Sequence, residues 1–353
     1  MTLTPDPSPT GVGEGRRSSS PLPLAGEGPG GRVLRGALPS GVRVRGAALL
    51  MALVVAAIAT VIVSGLFWRQ FVLVRTIENQ QLMSQSRLLL RAALDWGRSI
   101  LREDAAQKPY TAFTEPWAQP LAETRVDQIG ESSTLASQAT MSGAIEDAQS
   151  RFNLRNLANA DGSLNRAERD VLGRLASELS LPEPTADLIS AYVEQTVLPY
   201  VAPVGVPAGA RPAQPLPLVF PEDVGRIPGL DPAVAPRLAP YVVMLDQTTP
   251  VNFNTASAEV IAAEVDGLSL SSARALAADR DRIPFIHTGD LSTRLQRYGH
   301  FSFSSNDVAV YSRYFFIRGE IKLQRADTRM EALVKRAPQG PPGPVDVVWE
   351  REL

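Results

Sequence analysis

The sequence predicts an α+β protein: a long N-terminal helix, then an antiparallel sheet interrupted by a large helical insertion. Three observations carry that expectation. Residues 47–68 form a 22-residue run without a charge. Apolar residues then continue at helical spacing as far as residue 100. The last forty residues alternate apolar and polar in three short stretches, the period of half-buried strands.

The uncharged run (AALLMALVVAAIATVIVSGLFW) would make a helix roughly 33 Å long, enough to cross a bilayer core of about 30 Å. Arg43 and Arg45 precede it. Positive charge on the near side predicts that the rest of the chain lies across the membrane. A cleaved secretory signal would have small residues after a shorter apolar stretch, whereas here Gly46 stands before it. Beyond Arg69, Leu73, Ile77, Leu82, Leu89, Ala93, Trp96 and Ile100 continue one apolar side, and the helix should stop before Pro109.

Residues 110–131 read as irregular, with Glu115-Pro116-Trp117-Ala118 a packed loop. Met141-Ser142-Gly143-Ala144-Ile145-Glu146-Asp147 reads as a strand. In Arg151-Phe152-Asn153-Leu154-Arg155-Asn156-Leu157, Phe152, Leu154 and Leu157 are expected core anchors, and Asn153 and Asn156 can bond backbone groups at a turn or helix start. Helices are expected over 166–178 and 185–196, then an extended Pro/Val/Ala-rich loop over 198–221. A second helical unit contains Asn252-Phe253-Asn254-Thr255-Ala256-Ser257, a strong helix entry, then helices 258–264 and 271–280. Strands are expected over 314–323, 329–335 and 345–351, as an antiparallel meander.

With 44% apolar and 20% charged residues among 353, the chain is globular in bulk and long enough for two domains beyond the anchor. The segment before Ala47 carries a net +3 and the remainder −5, which gives no electrostatic reason to bind nucleic acid or an anionic surface. Without cysteine there are no disulfides and no thiolate metal sites. Residues 1–46 hold ten of the 26 glycines and seven of the 29 prolines and cannot build a core. They read as a leader removed in maturation or as a misassigned start.

Arginines, Gly46 and an apolar helix that turns amphipathic together resemble the class III leader of type IV pilins and pseudopilins. The resemblance implies cleavage by a prepilin peptidase between Gly46 and Ala47 and methylation of the Ala47 amine. Most pilin-like subunits carry a glutamate at the fifth mature position, occupied here by Met51. Gly143-x-Ile145-x-Asp147, followed by Arg151-Phe152-Asn153-Leu154-x-Asn156-Leu157, and the Asn-x-Asn-Thr-Ala-Ser string at 252–257 resemble the K family of type II secretion pseudopilins. That resemblance runs from Arg45 to the C-terminus and implies a pilin-like α/β domain interrupted by a helix-hairpin-helix or SAM-like insertion. The divisions expected are leader 1–46, transmembrane and stem helix 47–108, pilin-like domain 109–153 and 301–353, and inserted helical domain 154–300.

It further implies a non-catalytic minor pseudopilin at the tip of the pseudopilus, in the inner membrane with most of its chain periplasmic. Its partners would be minor pseudopilins I and J, with other pseudopilins beneath. On the stem, Leu82, Leu89 and Trp96 are expected to meet those neighbours. The family includes calcium binders. A loop reading from 159 to 168 places Asn159, Asp161 and Glu168 as weak candidate ligands, but Leu157 stands where the first ligand should be, so a capped turn is favoured and no cofactor is expected.

The competing reading is a membrane-anchored helix-hairpin-helix protein that binds DNA in an uptake system. DNA-binding hairpins use a Gly-hydrophobic-Gly turn whose N–H groups meet a phosphate. Here the turn is Val265-Asp266-Gly267-Leu268-Ser269-Leu270, and residues 250–300 carry five arginines against six acids. His287 and His300, the only histidines, suggest no metal pair, and no nucleophile motif is present.

Overall fold

The structure, a computed structural model, describes residues 45–128, 136–197, 215–301, 303, 307–337 and 343–353. The leader 1–44 and most of the loop expected over 198–221 lie outside the described residues. Two compact units divide at Arg69/Gln70. In the first, helix α1 (Arg45–Gln107) begins, its apolar side chains all exposed, with Leu50 at 65% and Ile58 at 54%. Among the described residues it is the one helix long and apolar enough to cross a membrane, with a mean hydropathy of 2.7 over its best window.

In the second unit the later turns of α1 lie on a five-stranded antiparallel sheet of order β1-β2-β7-β8-β9. The strands are β1 (Leu121–Arg125), β2 (Ala139–Asp147), β7 (Tyr314–Leu323), β8 (Ala326–Arg336) and β9 (Val345–Glu352). Residues 314–323 and the strand at Ile145 fall where the alternation put them. β1 does not: residues 121–125 sit in a stretch read as irregular. As an edge strand exposed at three of its five positions, β1 has no apolar alternation to betray it.

The stem meets the sheet through Leu82, Ser86, Leu90, Leu94, Gly97, Leu101 and Asp104, all buried and three or four residues apart. Opposite them are Met141, Ile145, Phe315, Ile317, Ile321, Met330, Ala332 and Val334. One glycine permits the close approach of stem to sheet, and another leaves room for the β7 backbone beside β2. A Cβ on Gly97 would stand 3.1 Å from the Ile317 side chain, and one on Gly143 would stand 2.6 Å from the Arg318 carbonyl oxygen. The Gly-x-Ile-x-Asp strand thus needs its glycine for backbone clearance.

Between β2 and β7 the chain builds a helical lobe with its own core. It contains β3 (Phe152–Asn153), α2 (Arg166–Glu178), α3 (Thr185–Val197), α4 (Val234–Leu238), β4 (Val242–Val243), β5 (Val251–Asn252), α5 (Ala258–Glu264), α6 (Leu270–Arg282), α7 (Thr288–Leu295) and β6 (Val308–Ala309). Two parallel pairs, β3 with β4 and β5 with β6, tie distant segments together. Phe152, Leu154 and Leu157 are fully buried there, as core anchors should be. Ser257 and Ser269 cap α5 and α6 through their hydroxyls, and Gly267 takes the turn between them at φ +76°.

Candidate functional site

The K-like strings of the sequence come together where sheet and lobe join. Asp147, at the end of β2, is buried, and its Oδ2 accepts from Asn252 Nδ2 at 2.9 Å, Thr255 Oγ1 at 2.6 Å and Ser312 Oγ at 2.5 Å. Its Oδ1 accepts from the Gln149 N–H at 2.8 Å. Burial raises the carboxyl above its ordinary value, and the hydroxyl and amide donors oppose that shift. Asn252 also donates to the Thr111 carbonyl at 3.1 Å, and Asn254 clamps Phe285 through both its backbone groups. The Asn-x-Asn-Thr string is therefore a clasp on the strand's aspartate as well as a helix entry.

Asn153 and Asn156 bond backbone, as expected: Asn153 accepts from the Arg155 N–H at 3.0 Å at the start of a short 3₁₀ turn, and both also bond a segment more than ninety residues later. Asn156 exchanges both amide hydrogen bonds with Thr249, at 2.9 and 3.0 Å. Asn153 accepts from the Leu245 N–H at 3.2 Å and donates to the Gln247 carbonyl at 2.8 Å. A second polar knot locks the stem's end. Arg336, 1% exposed, donates to Asp104 at 2.7 Å and to the Ser312 carbonyl at 2.8 Å, with Tyr311 and Phe315 rings at 4.4 and 4.7 Å. Nearby, Glu115 accepts from Trp117 Nε1 at 2.7 Å, and burial pushes its carboxyl up to about 7.

On the far face of the sheet, alternating charges cross four strands. Arg151 pairs with Glu146 at 3.0 Å, Glu146 with Arg318, Arg318 with Glu331 at 2.7 Å, and Glu331 with Arg351. Arg318–Glu331 and Glu331–Arg351 are directly opposed in register. Phe220 of the lobe packs edge-on against Trp349 of β9 at 5.0 Å, beneath Arg351. These contacts fix the lobe to the sheet at several separated points.

The stem's free side differs from the sequence reading at two of three positions. Leu82 is 8% exposed and packs on the sheet, and Leu89 is half-buried against the same core. Trp96 is exposed at 42%, as an interface residue should be, and Leu88, at 66%, was not anticipated. Helical spacing identifies an apolar stripe but not which neighbour covers it.

Asn159, Asp161 and Glu168 do not form a common centre. Asp161 accepts from the Ser163 N–H at 3.0 Å and its hydroxyl at 2.6 Å, and Asn159 donates to Ser163 Oγ, in a turn closed by Gly162 at φ +83°. Glu168 lies instead beside Asp307 and Arg174, in the same cluster as Glu264. Among the described residues, no three His, Cys, Asp or Glu side chains form a metal-holding group. Both glutamates are buried, each with an oxygen lacking a hydrogen-bond partner among the described residues, and Arg174, a cation acting on both, also binds the Ala263 carbonyl and faces Asp266.

Burial, reinforced by the neighbouring acids, pushes Glu168 up to about 7 and Glu264 well above its ordinary value. A carboxyl whose folded pKa is raised gives up stability as pH climbs from its unfolded value, about 4.3, through the folded one. The lobe should therefore melt higher at pH 5 than at pH 8, with Glu168 alone contributing about 3 kcal/mol of the difference. Glu264→Gln should flatten the dependence, and equal melting temperatures at the two pH values would refute it.

A membrane-length helix that becomes the spine of an antiparallel sheet, with a helical lobe clamped to that sheet, defines a stem-anchored α+β subunit of pilin-like build. Models of the family "Type II secretion system (T2SS), protein K" match residues 150–247 and 251–310. The type II secretion system protein K of Pseudomonas aeruginosa (strain PAO1) is 27% identical over 325 residues, covering 86% of this chain and 91% of that one. The crystal structure of the GspK-GspI-GspJ complex from enterotoxigenic Escherichia coli holds a chain of the same fold, with a TM-score of 0.59 and 20% identity over 78% of this chain and 98% of that one. The resemblance to the protein K family of type II secretion, read from the Gly-x-Ile-x-Asp and Asn-x-Asn-Thr-Ala-Ser strings, is borne out by these matches.

Proposed function

We propose that the chain is the minor pseudopilin at the tip of the type II secretion pseudopilus, nucleating it with minor pseudopilins I and J and supporting export across the outer membrane. The carrying observation is the lobe held to the sheet by the Asp147 clasp and the charge ladder, a rigid bulk that would collide with any subunit stacked above it. Met51 supports the same position. A carboxylate at that depth needs a partner to offset its desolvation, and a methionine needs no neighbour. The protein K relative has the matching name, and the solved neighbour was found with two other secretion proteins.

In this reading the inner membrane holds the uncharged first part of α1, the arginines at its start stay cytoplasmic, and the bulk of the chain is periplasmic. The divisions at residues 46, 108, 153 and 300 are our assignment. The chain works by assembly, without a catalytic residue or cofactor. The DNA-binding alternative gains nothing from the lobe, because Arg274, Arg280 and Arg294 are paired with Glu259, Asp281 and Asp290, leaving little basic surface for phosphates.

Co-purification with the I and J pseudopilins tests the assignment: a complex at about equal stoichiometry is expected. Abundance near that of the major pseudopilin in sheared pseudopili would make the chain a shaft component and end the tip model. Processing is tested separately. Mature protein should begin at methylated Ala47, and a larger residue at Gly46 should block cleavage. Mass spectrometry showing an intact Gly46-Ala47 bond in cells with active prepilin peptidase would defeat the leader assignment.

A further inference from the structure

The stem ends in a buried junction where two carboxyls stand near one buried guanidinium. Arg336 bonds Asp104 at 2.7 Å and gives its other donors to Thr111 and to the Leu101 and Ser312 carbonyls. Glu115, 0% exposed, makes no ion pair among the described residues. Its Oε2 accepts from Trp117 Nε1 at 2.7 Å and from the Ala112 N–H at 3.2 Å, and its Oε1 has no hydrogen-bond partner among the described residues. The other charged and titratable groups around it do not change this. Lys108, one residue past α1, has the smallest effect on it and lies over the Tyr110 ring at 5.7 Å. Tyr311 covers Arg336, and Arg280 of α6 bonds Phe253 and Asp281 and reaches only the Phe113 ring.

An acid so placed keeps its proton, because ionising it would put an unpaired charge in the interior beside the Asp104 carboxylate. Burial pushes the Glu115 carboxyl up to about 7; the Trp117 bond opposes the shift and Asp104 adds to it. The side chain also holds a segment together. Thr111 is tied to Val310 and Asn252 by its backbone, and Trp117, 2% exposed, packs edge-on against Phe315 at 5.3 Å within the core between stem and sheet. Between those anchors the Glu115 carboxyl bonds both halves, while the backbone makes single turns, the Glu115 N–H to Ala112 and the Ala118 N–H to Glu115. Segments with so few backbone bonds open locally at far lower cost than a core strand or helix.

We propose that Glu115 is a pH-operated latch at the end of the stem. Protonated, it stays buried and keeps residues 111–119 closed on the sheet; ionised, it turns out to water and draws Trp117 from its place against Phe315. A carboxyl raised in the folded state stabilises the closed segment fully below its unfolded value, about 4.3, and that contribution is lost as pH climbs through about 7. Pro116 and Trp117 are also walls of a groove of about 310 Å³ between the stem and strands β1 and β2, so opening the latch reshapes that surface. The latch needs no pseudopilin partner. Placed in the periplasm, as proposed above, it senses the pH outside the cell, because protons cross an outer membrane through water-filled porins.

The test uses the full chain in detergent carrying Trp68→Phe, Trp96→Phe and Trp349→Phe, so that Trp117 is the tryptophan left to emit. Between pH 5.5 and 8.5 a carboxyl titrating near 7 goes from about 97% to about 3% protonated. Acrylamide quenching of Trp117, measured well below the melting temperature, is expected to rise several-fold with a midpoint near pH 7 and to fall again when the pH is lowered. Glu115→Gln, which mimics the protonated acid, should hold quenching at its low value throughout. If Glu115→Gln misfolds, hydrogen exchange of the unaltered chain decides: corrected for the intrinsic rise of exchange with pH, residues 111–119 should lose protection through the same midpoint while β8 keeps it. Constant quenching, or constant protection where exchange decides, overturns the proposal. So does a pH dependence that survives in Glu115→Gln, or one that disappears in Glu264→Gln, which would trace it to the lobe.

Discussion

Arg336→Ala is expected to lower the stability of the second unit, Gln70–Leu353, by about 3–5 kcal/mol, the usual cost of leaving one member of a buried ion pair alone. The arginine bonds Asp104 and Thr111 by its two terminal nitrogens and the Ser312 carbonyl by Nε. Truncation would strand Asp104, itself 7% exposed, with its charge uncompensated at the end of the stem. Lysine should restore little, because one ammonium cannot reach three acceptors in a plane or lie flat between Tyr311 and Phe315. Removing both charges, as Arg336→Met with Asp104→Leu, should recover much of the loss, since apolar replacement of a whole buried pair is often close to neutral. Urea denaturation of the full chain in detergent measures all four proteins. A loss below about 1 kcal/mol for Arg336→Ala, the range of an exposed pair, would show that the knot does not hold the stem to the sheet.

Much of this fold was legible in the sequence because its elements are individually strong. An uncharged run of membrane length, the helix entry ending at Ser257, and the alternation of 314–323 each announce themselves locally. β1 was missed because an edge strand exposed on both sides has no periodic signal. The junction was half legible. Asn153, Asn156 and Asn252 stood out as residues that bond backbone or open helices, and Asp147 only as part of the Gly-x-Ile-x-Asp string, but their partners lie up to 165 residues away, a distance no local rule spans. Arg336 gave no sign at all, since in sequence it is one charge ending a strand. The covered side of the stem was misjudged at Leu82 because the whole stripe from Leu73 onward is apolar, and only the sheet's position distinguishes the covered residues from the free ones.

Asp147→Ala should have an effect of similar size and a different character. It removes the acceptor for Asn252, Thr255, Ser312 and the Gln149 N–H together, and buried donors left without partners cost about 1–3 kcal/mol each before relaxation. A net loss of about 3–4 kcal/mol follows if water or rearrangement rescues half of them. The character comes from the cores. The lobe has its own apolar cluster, separate from the one between stem and sheet, and the Asp147 clasp is one of the points that couple them, beside a smaller apolar cluster of Val243 and Leu245 with Tyr314, Phe316 and Leu333. With the clasp gone, calorimetry should show the single unfolding transition dividing in two, the lobe melting first. Asp147→Asn should keep one transition at a lower temperature, because the hydroxyls of Thr255 and Ser312 can turn to accept from the new amide while Asn252 cannot donate to it. Should Asp147→Ala unfold in one transition at the unaltered temperature, the clasp would be dispensable, and the rigid mounting of the lobe would have to come from the charge ladder on the far face of the sheet.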